Sequence, residues 1–274
     1  MSDHPTSKLS RYSAWLAHAF ALTSLGLVIA WAGGTDTSAG FLGGFNWTNL
    51  TFNYHPVMMV GGLLVAGTEA MLAFRFWPFG HFYNKVIHVI VNTTGVAMVI
   101  VGLIAVFLSH NSVPHGGIKP NLYTAHGFVG IFVVTLYFFQ YALGVVTFAT
   151  KITSKKIKSA ILPLHKFLGK FIYSGALMAA GMGIAEKTGF NASPSTYAKP
   201  DMNPALHYNQ LKTGYRIAFG LPITLLLAAF FAFFAVNDQP STSSTHEESK
   251  NVELSVEAGG EMAAENPVEE PKDD

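Results

Sequence analysis

Four of the eleven histidines fall where chemistry is expected of them. His55, His88, His126 and His165 each lie within about one turn of the amino-terminal end of a different long apolar stretch, and the four stretches are consecutive. Ionisable groups inside apolar spans are rare and usually functional. Successive spans run in opposite directions, so the four imidazoles alternate between two faces: His55 with His126, His88 with His165. Two histidine pairs at two depths of a four-helix core are what bis-histidine ligation of b-type haem requires, one imidazole from each side on facing helices. The ordinary alternative is a helix-end histidine bonded to a loop. That suits one residue better than four at matched depths. The other histidines have less distinctive settings: His18 within the first span, His81, His115 and His207 in loops, His4 and His246 in polar tails.

The elements that must carry these residues follow from composition. Half of the 274 residues are hydrophobic, 12% are charged and 13% aromatic, and the mean hydropathy is +0.34. That balance reads as an all-α integral membrane protein. There is no cysteine, which excludes disulfides, thiolate metal sites, iron–sulfur clusters and thioether-attached haem. The net charge of +1 carries no information about a partner, and no nucleic-acid partner is expected. Six stretches are of spanning length, about 20 residues each: Tyr12–Trp31, His55–Phe76, Val86–Leu108, Leu122–Phe148, Leu164–Ala185 and Gly214–Val236. Their pattern is helical, without strand alternation. The expected organisation is an amino-terminal segment 1–11, a six-helix domain 12–236 in which helices 2–5 form the di-haem core, and an acidic, disordered tail 237–274.

Lysine and arginine set the expected orientation. Lys8, Arg11, Arg75, Lys85, Lys151, Lys155, Lys156, Lys158 and Lys166 fall on one side; the other carries Lys119 and, in the 187–213 loop, Lys187, Lys199 and Lys212. The balance places both termini in the cytoplasm. Sequon triplets beginning at Asn46, Asn49 and Asn191 fall in the outside loops on this topology. His55 and His126 then lie toward the outside, His88 and His165 toward the cytoplasm. Roughly 20 Å separates the two layers.

Positions seven apart share a helical face. This groups His55 with Gly62 and Glu69, His88 with Gly95 and Gly102, and His126 with Val133 and Gln140; Gly127 and Gly130 flank His126, and Gly169 lies a turn from His165. Small residues there leave room for a flat macrocycle or ease helix contact. Glu69 and Gln140 are expected to face the bundle interior near the inner layer.

The ordered motifs resemble the eukaryotic cytochrome b561 family. Phe52–Pro56 (FNYHP) is similar to its FNxHP, Phe74-Arg75 to its YR, and Lys85–His88 (KVIH) to its KxxH. Asn121–His126 (NLYTAH) after His110-Asn111, Leu136–Gln140, Leu162–Gly169 and Glu186-Lys187 also fit. The likeness covers about residues 45–190. Gly127-Phe128 replaces a usual Ser-Trp, and Lys158 a usual arginine.

The resemblance implies two haem b groups with the same histidine pairings, ascorbate as cytoplasmic donor, and monodehydroascorbate or ferric iron as outer acceptor. It also implies a homodimer and residence in the plasma membrane or an endomembrane vesicle. Ascorbate is an anion and needs cations, so Arg75, Lys85 and Lys158 are the expected inner contacts, with Arg75 also suited to haem propionates. His110, Asn121 and Tyr123 are the expected outer contacts, the role of His110 resting on the resemblance. No flavin or nicotinamide fingerprint is present, so electrons come from a small donor or a partner. Two other readings remain at this level: a cytochrome b relay subunit docked to a dehydrogenase, and a haem-free transporter with a histidine proton relay.

Overall fold

The computed structural model describes residues 7–111, 120–191 and 211–238. His4, His115, His207, His246, Lys119, Lys199, most of the 187–213 loop and the tail after Asp238 lie outside them, as does the remainder of the triplet beginning at Asn191.

The helical body, Lys8–Asn237, contains six helices long and apolar enough to cross a bilayer. They are α1 (Lys8–Gly33), α2 (Thr51–Leu72), α3 (His81–Asn111), α4 (Ala125–Ala149), α5 (Lys155–Asn191) and α6 (Thr213–Asn237). Among the described residues there is no strand. Each expected span is present, with shifted ends. α2 stops at Leu72, so Phe74, Arg75 and Phe76 form a turn rather than the last helical residues. The amides of Arg75 and Phe76 both close on the Leu72 carbonyl, at 2.9 and 2.8 Å. Pro78 and Gly80 follow, and the residue before a proline is driven out of the helical region. α5 has 37 residues. At 1.5 Å per residue that is about 55 Å, well beyond a hydrocarbon core of about 30 Å. The excess carries the lysines at its amino-terminal end.

Within α2, residues Val60–Val65 form a π-helical segment, and Val145–Ala149 form another at the end of α4. A π-bulge inserts one residue and rotates everything after it relative to an uninterrupted α-helix.

α1 and α6 pack along their lengths. The seam is made of small residues: Ala14, Ala17, Ala21 and Ser24 on α1, and Ala218, Ala228, Ala232 and Ala235 on α6, all buried. Without Cβ branching the backbones approach closely. Ser24 Oγ donates to Thr224 Oγ1 at 2.8 Å and Ser10 Oγ to the Ala235 carbonyl at 3.0 Å. The remaining helices form two antiparallel pairs, α2 with α3 and α4 with α5.

Candidate functional site

The four histidines meet as two pairs. The His55 and His126 ring centres are 6.1 Å apart with planes at 86°; those of His88 and His165 are 6.2 Å apart at 63°. A metal–imidazole bond is about 2.0 Å and the ring centre lies about 1.1 Å behind the ligating nitrogen, so two imidazoles sharing one metal stand about 6.2 Å apart. Both pairs have that spacing. Among the described residues no three His, Cys, Asp or Glu side chains converge as a metal-ion site. Each imidazole pair would suit a metal whose remaining positions a macrocycle supplies, as haem b would.

Each ring is oriented by the helix paired with its own. His55 Nδ1 donates to the Gly102 carbonyl of α3 at 3.1 Å. His88 Nδ1 donates to the Ala70 carbonyl of α2 at 2.8 Å. His126 Nδ1 donates to the Ala179 carbonyl of α5 at 2.9 Å. A carbonyl only accepts, so these bonds put the proton on Nδ1 and leave Nε2 with the lone pair a metal needs. His165 departs from the rule: its Nδ1 is buried without a partner, while its carbonyl accepts from Gln140 Nε2 at 2.7 Å.

The spacing along the helices is regular. Gly102 lies 14 residues after His88, Ala179 lies 14 after His165, and Gln140 lies 14 after His126, four turns or about 21 Å along each helix. On α2 the matching position is Ala70, 15 after His55. The extra residue is the one inserted by the π segment. This corrects the expected face of Glu69: it turns out of the core and bonds His18 of α1, Nδ1 to Oε1 2.6 Å. Gln140, on an uninterrupted stretch of α4, faces inward as expected.

The glycines divide differently from the face pattern. Gly62 and Gly95 lie against each other: a Cβ on either would fall 2.7 Å from the other's carbonyl oxygen. Gly102 lies against Met58 and Met59. These positions serve the α2–α3 crossing, not a macrocycle. The glycines whose side-chain position faces one of the four imidazoles are Gly183, where a Cβ would come 2.7 Å from His126 Cε1, and Gly144, where it would come 3.2 Å from His165 Cε1. Both were missed because they sit on the neighbouring helix of the pair, outside any periodic relation to the histidines.

The outer layer, His55 with His126, opens into a cavity of about 980 Å³. The FNYHP motif builds one wall. Asn53 is buried and donates through Nδ2 to the carbonyls of Leu42 and Gly44 at 2.9 and 2.7 Å, pinning the α1–α2 loop to the start of α2. The Phe52 ring lies 5.9 Å from that of His55, and the Lys187 ammonium stands 4.5 Å from the Phe52 ring centre as a cation–π contact. Opposite, His110 Nδ1 donates to Asn121 Oδ1 at 3.0 Å, and Asn121 Nδ2 to Asn111 Oδ1 at 3.2 Å. Leu122 has φ 54°, a left-handed backbone that costs a non-glycine residue about 1–3 kcal/mol. It turns the chain between Asn121, held by α3, and Thr124, whose hydroxyl caps α4 by accepting from the Gly127 amide at 3.2 Å. The expected outer contacts His110, Asn121 and Tyr123 all line the cavity, together with Glu186 and Lys187, whose Glu-Lys motif was the available signal.

The inner layer is flanked by Phe74, 5.5 Å from His88, and Phe148, 5.1 Å from His165. Arg75 sits beside Phe74 in the turn after α2. Lys85 is half-buried, nearly one turn before His88. Lys158 Nζ donates to the Thr150 carbonyl at 3.2 Å, which anchors it across the α4–α5 turn.

Six spanning helices with an imidazole pair at each of two depths define a multi-pass membrane protein built for electron transfer. Residues 54–191 match the family model described as eukaryotic cytochrome b561. Similar proteins include the transmembrane ascorbate ferrireductase 1 of Arabidopsis thaliana, 36% identical over 180 residues, 64% of this chain and 71% of that protein. The ascorbate-specific transmembrane electron transporter 2 of Zea mays is 35% identical over 181 residues, 64% and 72% of the two chains. The lysosomal membrane ascorbate-dependent ferrireductase of Mus musculus is 34% identical over 192 residues, 68% and 78%. The chain belongs to the eukaryotic cytochrome b561 family, whose members are transmembrane oxidoreductases carrying haem b.

Proposed function

We propose that the chain binds two haem b groups, at His55/His126 and His88/His165, and passes electrons from cytoplasmic ascorbate to monodehydroascorbate or ferric iron on the other side. The observation that carries this reading is the spacing of the two imidazole pairs, 6.1 and 6.2 Å between ring centres. The names of the similar proteins support ascorbate as donor. The lysine and arginine bias supports cytoplasmic termini and an inner layer at His88/His165. The resemblance further points to a homodimer.

When bound, haem b supplies a reversible one-electron couple whose potential its axial ligands and surroundings set. The chain's own residues do the rest. The carbonyls of Gly102, Ala70 and Ala179 hold three imidazoles in the ligating tautomer. Lys85, with Lys158 and Arg75 on the same end, binds the ascorbate anion; Arg75 also suits a propionate. On the outer side His110 and Asn121, locked together by their hydrogen bond, position the acceptor beside Tyr123 at the cavity mouth.

Pyridine haemochrome measured against protein concentration should give two haems per chain. A ratio near one or zero sinks the di-haem reading. Ascorbate added to the oxidised protein should reduce it without a partner dehydrogenase. A charge-assisted hydrogen bond contributes about 1.5–3 kcal/mol, so Lys85→Ala should weaken ascorbate binding by roughly 10- to 100-fold. Both haems should stay bound and fully reducible by dithionite. His110→Ala should slow exit to an outer acceptor and spare entry. Sealed proteoliposomes of known orientation, given ascorbate on one side at a time, separate the two. Wild-type inner-side kinetics for Lys85→Ala at all ascorbate concentrations would move the site elsewhere.

A further inference from the structure

α1 lies outside the matched family region, 54–191, yet it carries a buried titratable group. His18 is 12% exposed and its Nδ1 lies 2.6 Å from Glu69 Oε1, itself 24% exposed. An ionised carboxylate only accepts, so Nδ1 holds the imidazole proton and Nε2 is left as a lone pair. That Nε2 is buried and has no hydrogen-bond partner. Around the ring stand Phe76 at 4.6 Å, Trp15 at 6.2 Å and Trp77 at 6.4 Å between ring centres. The ring therefore presents one unpartnered basic nitrogen inside the bundle, with a carboxylate on its opposite edge and aromatic rings around it.

Its place in the fold gives this group a role. The π segment of α2 rotates Glu69 toward α1, while the next residue, Ala70, presents its carbonyl to His88 Nδ1 at 2.8 Å. The carboxylate and the carbonyl that orients an inner ligand are therefore adjacent on one backbone. Among the described residues Glu69 is the one carboxylate in the inner halves of the six helices. The other charged groups and histidines toward that end are Lys8 and Arg11 on α1, Arg75 after α2, His81, Lys85 and His88 on α3, Lys151 before α5, and Lys155, Lys156, Lys158, His165, Lys166 and Lys170 on α5. α6 carries only Arg216, at the opposite end. Lysine and arginine stay protonated near neutrality, His81 is exposed, and His88 and His165 are the ligands of the proposed inner haem, which leaves His18 with Glu69 as the remaining buried pair there.

We propose that His18 and Glu69 form a proton-binding site that takes up one proton as the inner haem gains an electron and returns it on reoxidation. The proposal rests on the reading above that His88 and His165 hold the inner haem. Ascorbate monoanion oxidised to the monodehydroascorbate radical anion yields one electron and one proton. The electron adds a negative charge inside the low-dielectric bundle, and a proton bound at His18 Nε2 cancels it. The pair passes from carboxylate with neutral imidazole to carboxylate with imidazolium. When the electron moves on, the proton leaves to the inner aqueous side.

The sign follows from mass action. A proton taken up with the electron is scarcer at higher pH, so the inner midpoint potential falls as pH rises. The limit is about 59 mV per tenfold change in proton activity at one proton per electron. Spectroelectrochemical titration of the full chain from pH 6 to 8 should show this slope in the inner component. It should flatten in both His18→Gln and Glu69→Gln, with haem content and the outer midpoint unchanged. His18→Gln, on a helix outside the haem core, is the second variant should Glu69→Gln lose haem. A flat wild-type inner component, or a slope that persists in the Gln variants, overturns the proposal. Failure to find two haem components in the wild type sinks the di-haem reading instead.

Discussion

Replacing His88 or His165 by alanine should remove the inner haem and leave the outer one bound; replacing His55 or His126 should do the reverse. On the proposed pairing each single change takes away one of the two histidines that would hold a haem. Even loss of a partner that merely orients a metal-bound histidine costs 10–100-fold in affinity, so loss of the ligand itself is a larger effect. The two layers are independent in their ligands, which predicts that about half of the haem absorbance survives in each variant. A redox titration should collapse from two components to one, and the survivor should differ between the two sets. If His55→Ala and His88→Ala leave the same component, the pairing is wrong. His126→Gly with added imidazole gives a further check: restoration of the lost component by imidazole identifies ligation rather than folding as the cause.

The two histidine pairs and the six spans were legible because both depend on one-dimensional quantities. A helix that crosses hydrocarbon needs a long apolar run, and alternating direction puts every second histidine on the same side. What the pattern hid was tertiary. The seven-residue face rule placed Glu69 with His55, and one inserted residue at Val60–Val65 was enough to send it to α1. Nothing in VGGLLV marks a π segment by composition. The carbonyls that fix the imidazole tautomers belong to Gly102, Ala70 and Ala179, and backbone groups carry no signature in a sequence. Gly62 and Gly95 were visible as small residues on ligand faces. Whether they made room for a cofactor or for another helix depended on which element came opposite. The end of α2 at Leu72 was announced by Pro78 and Gly80, but the apolar run through Phe76 outweighed them.

That α2–α3 crossing sets up the second large effect. A Cβ on Gly62 would lie 2.7 Å from the Gly95 oxygen and 3.0 Å from Val99 Cγ2, and a Cβ on Gly95 would lie 2.7 Å from the Gly62 oxygen. A Cβ on Gly95 would also lie 2.5 Å from the Tyr137 hydroxyl of α4; that side chain can shift, but the two carbonyl oxygens are backbone, which cannot swing aside as a flexible side chain does. Gly95→Val must therefore push the two helices apart. Overpacking in a tight contact costs about 1–3 kcal/mol and sometimes more, and the immovable obstacle places this change at the upper end. The consequence reaches both layers, because His55 takes its orienting carbonyl from α3 and His88 takes its own from α2. Separating α2 from α3 should loosen both bonds together. Gly95→Val should accordingly lose haem from both sites and melt at lower temperature, where each ligand variant loses only one haem. Gly26→Val is the control: a Cβ on Gly26 meets nothing within 4 Å, so it carries the same change in helix propensity without the collision. Haem content per protein and thermal melting of the three proteins decide the matter. A Gly95→Val protein that keeps both haems and melts with Gly26→Val would show that the crossing is not what holds the two imidazoles in register.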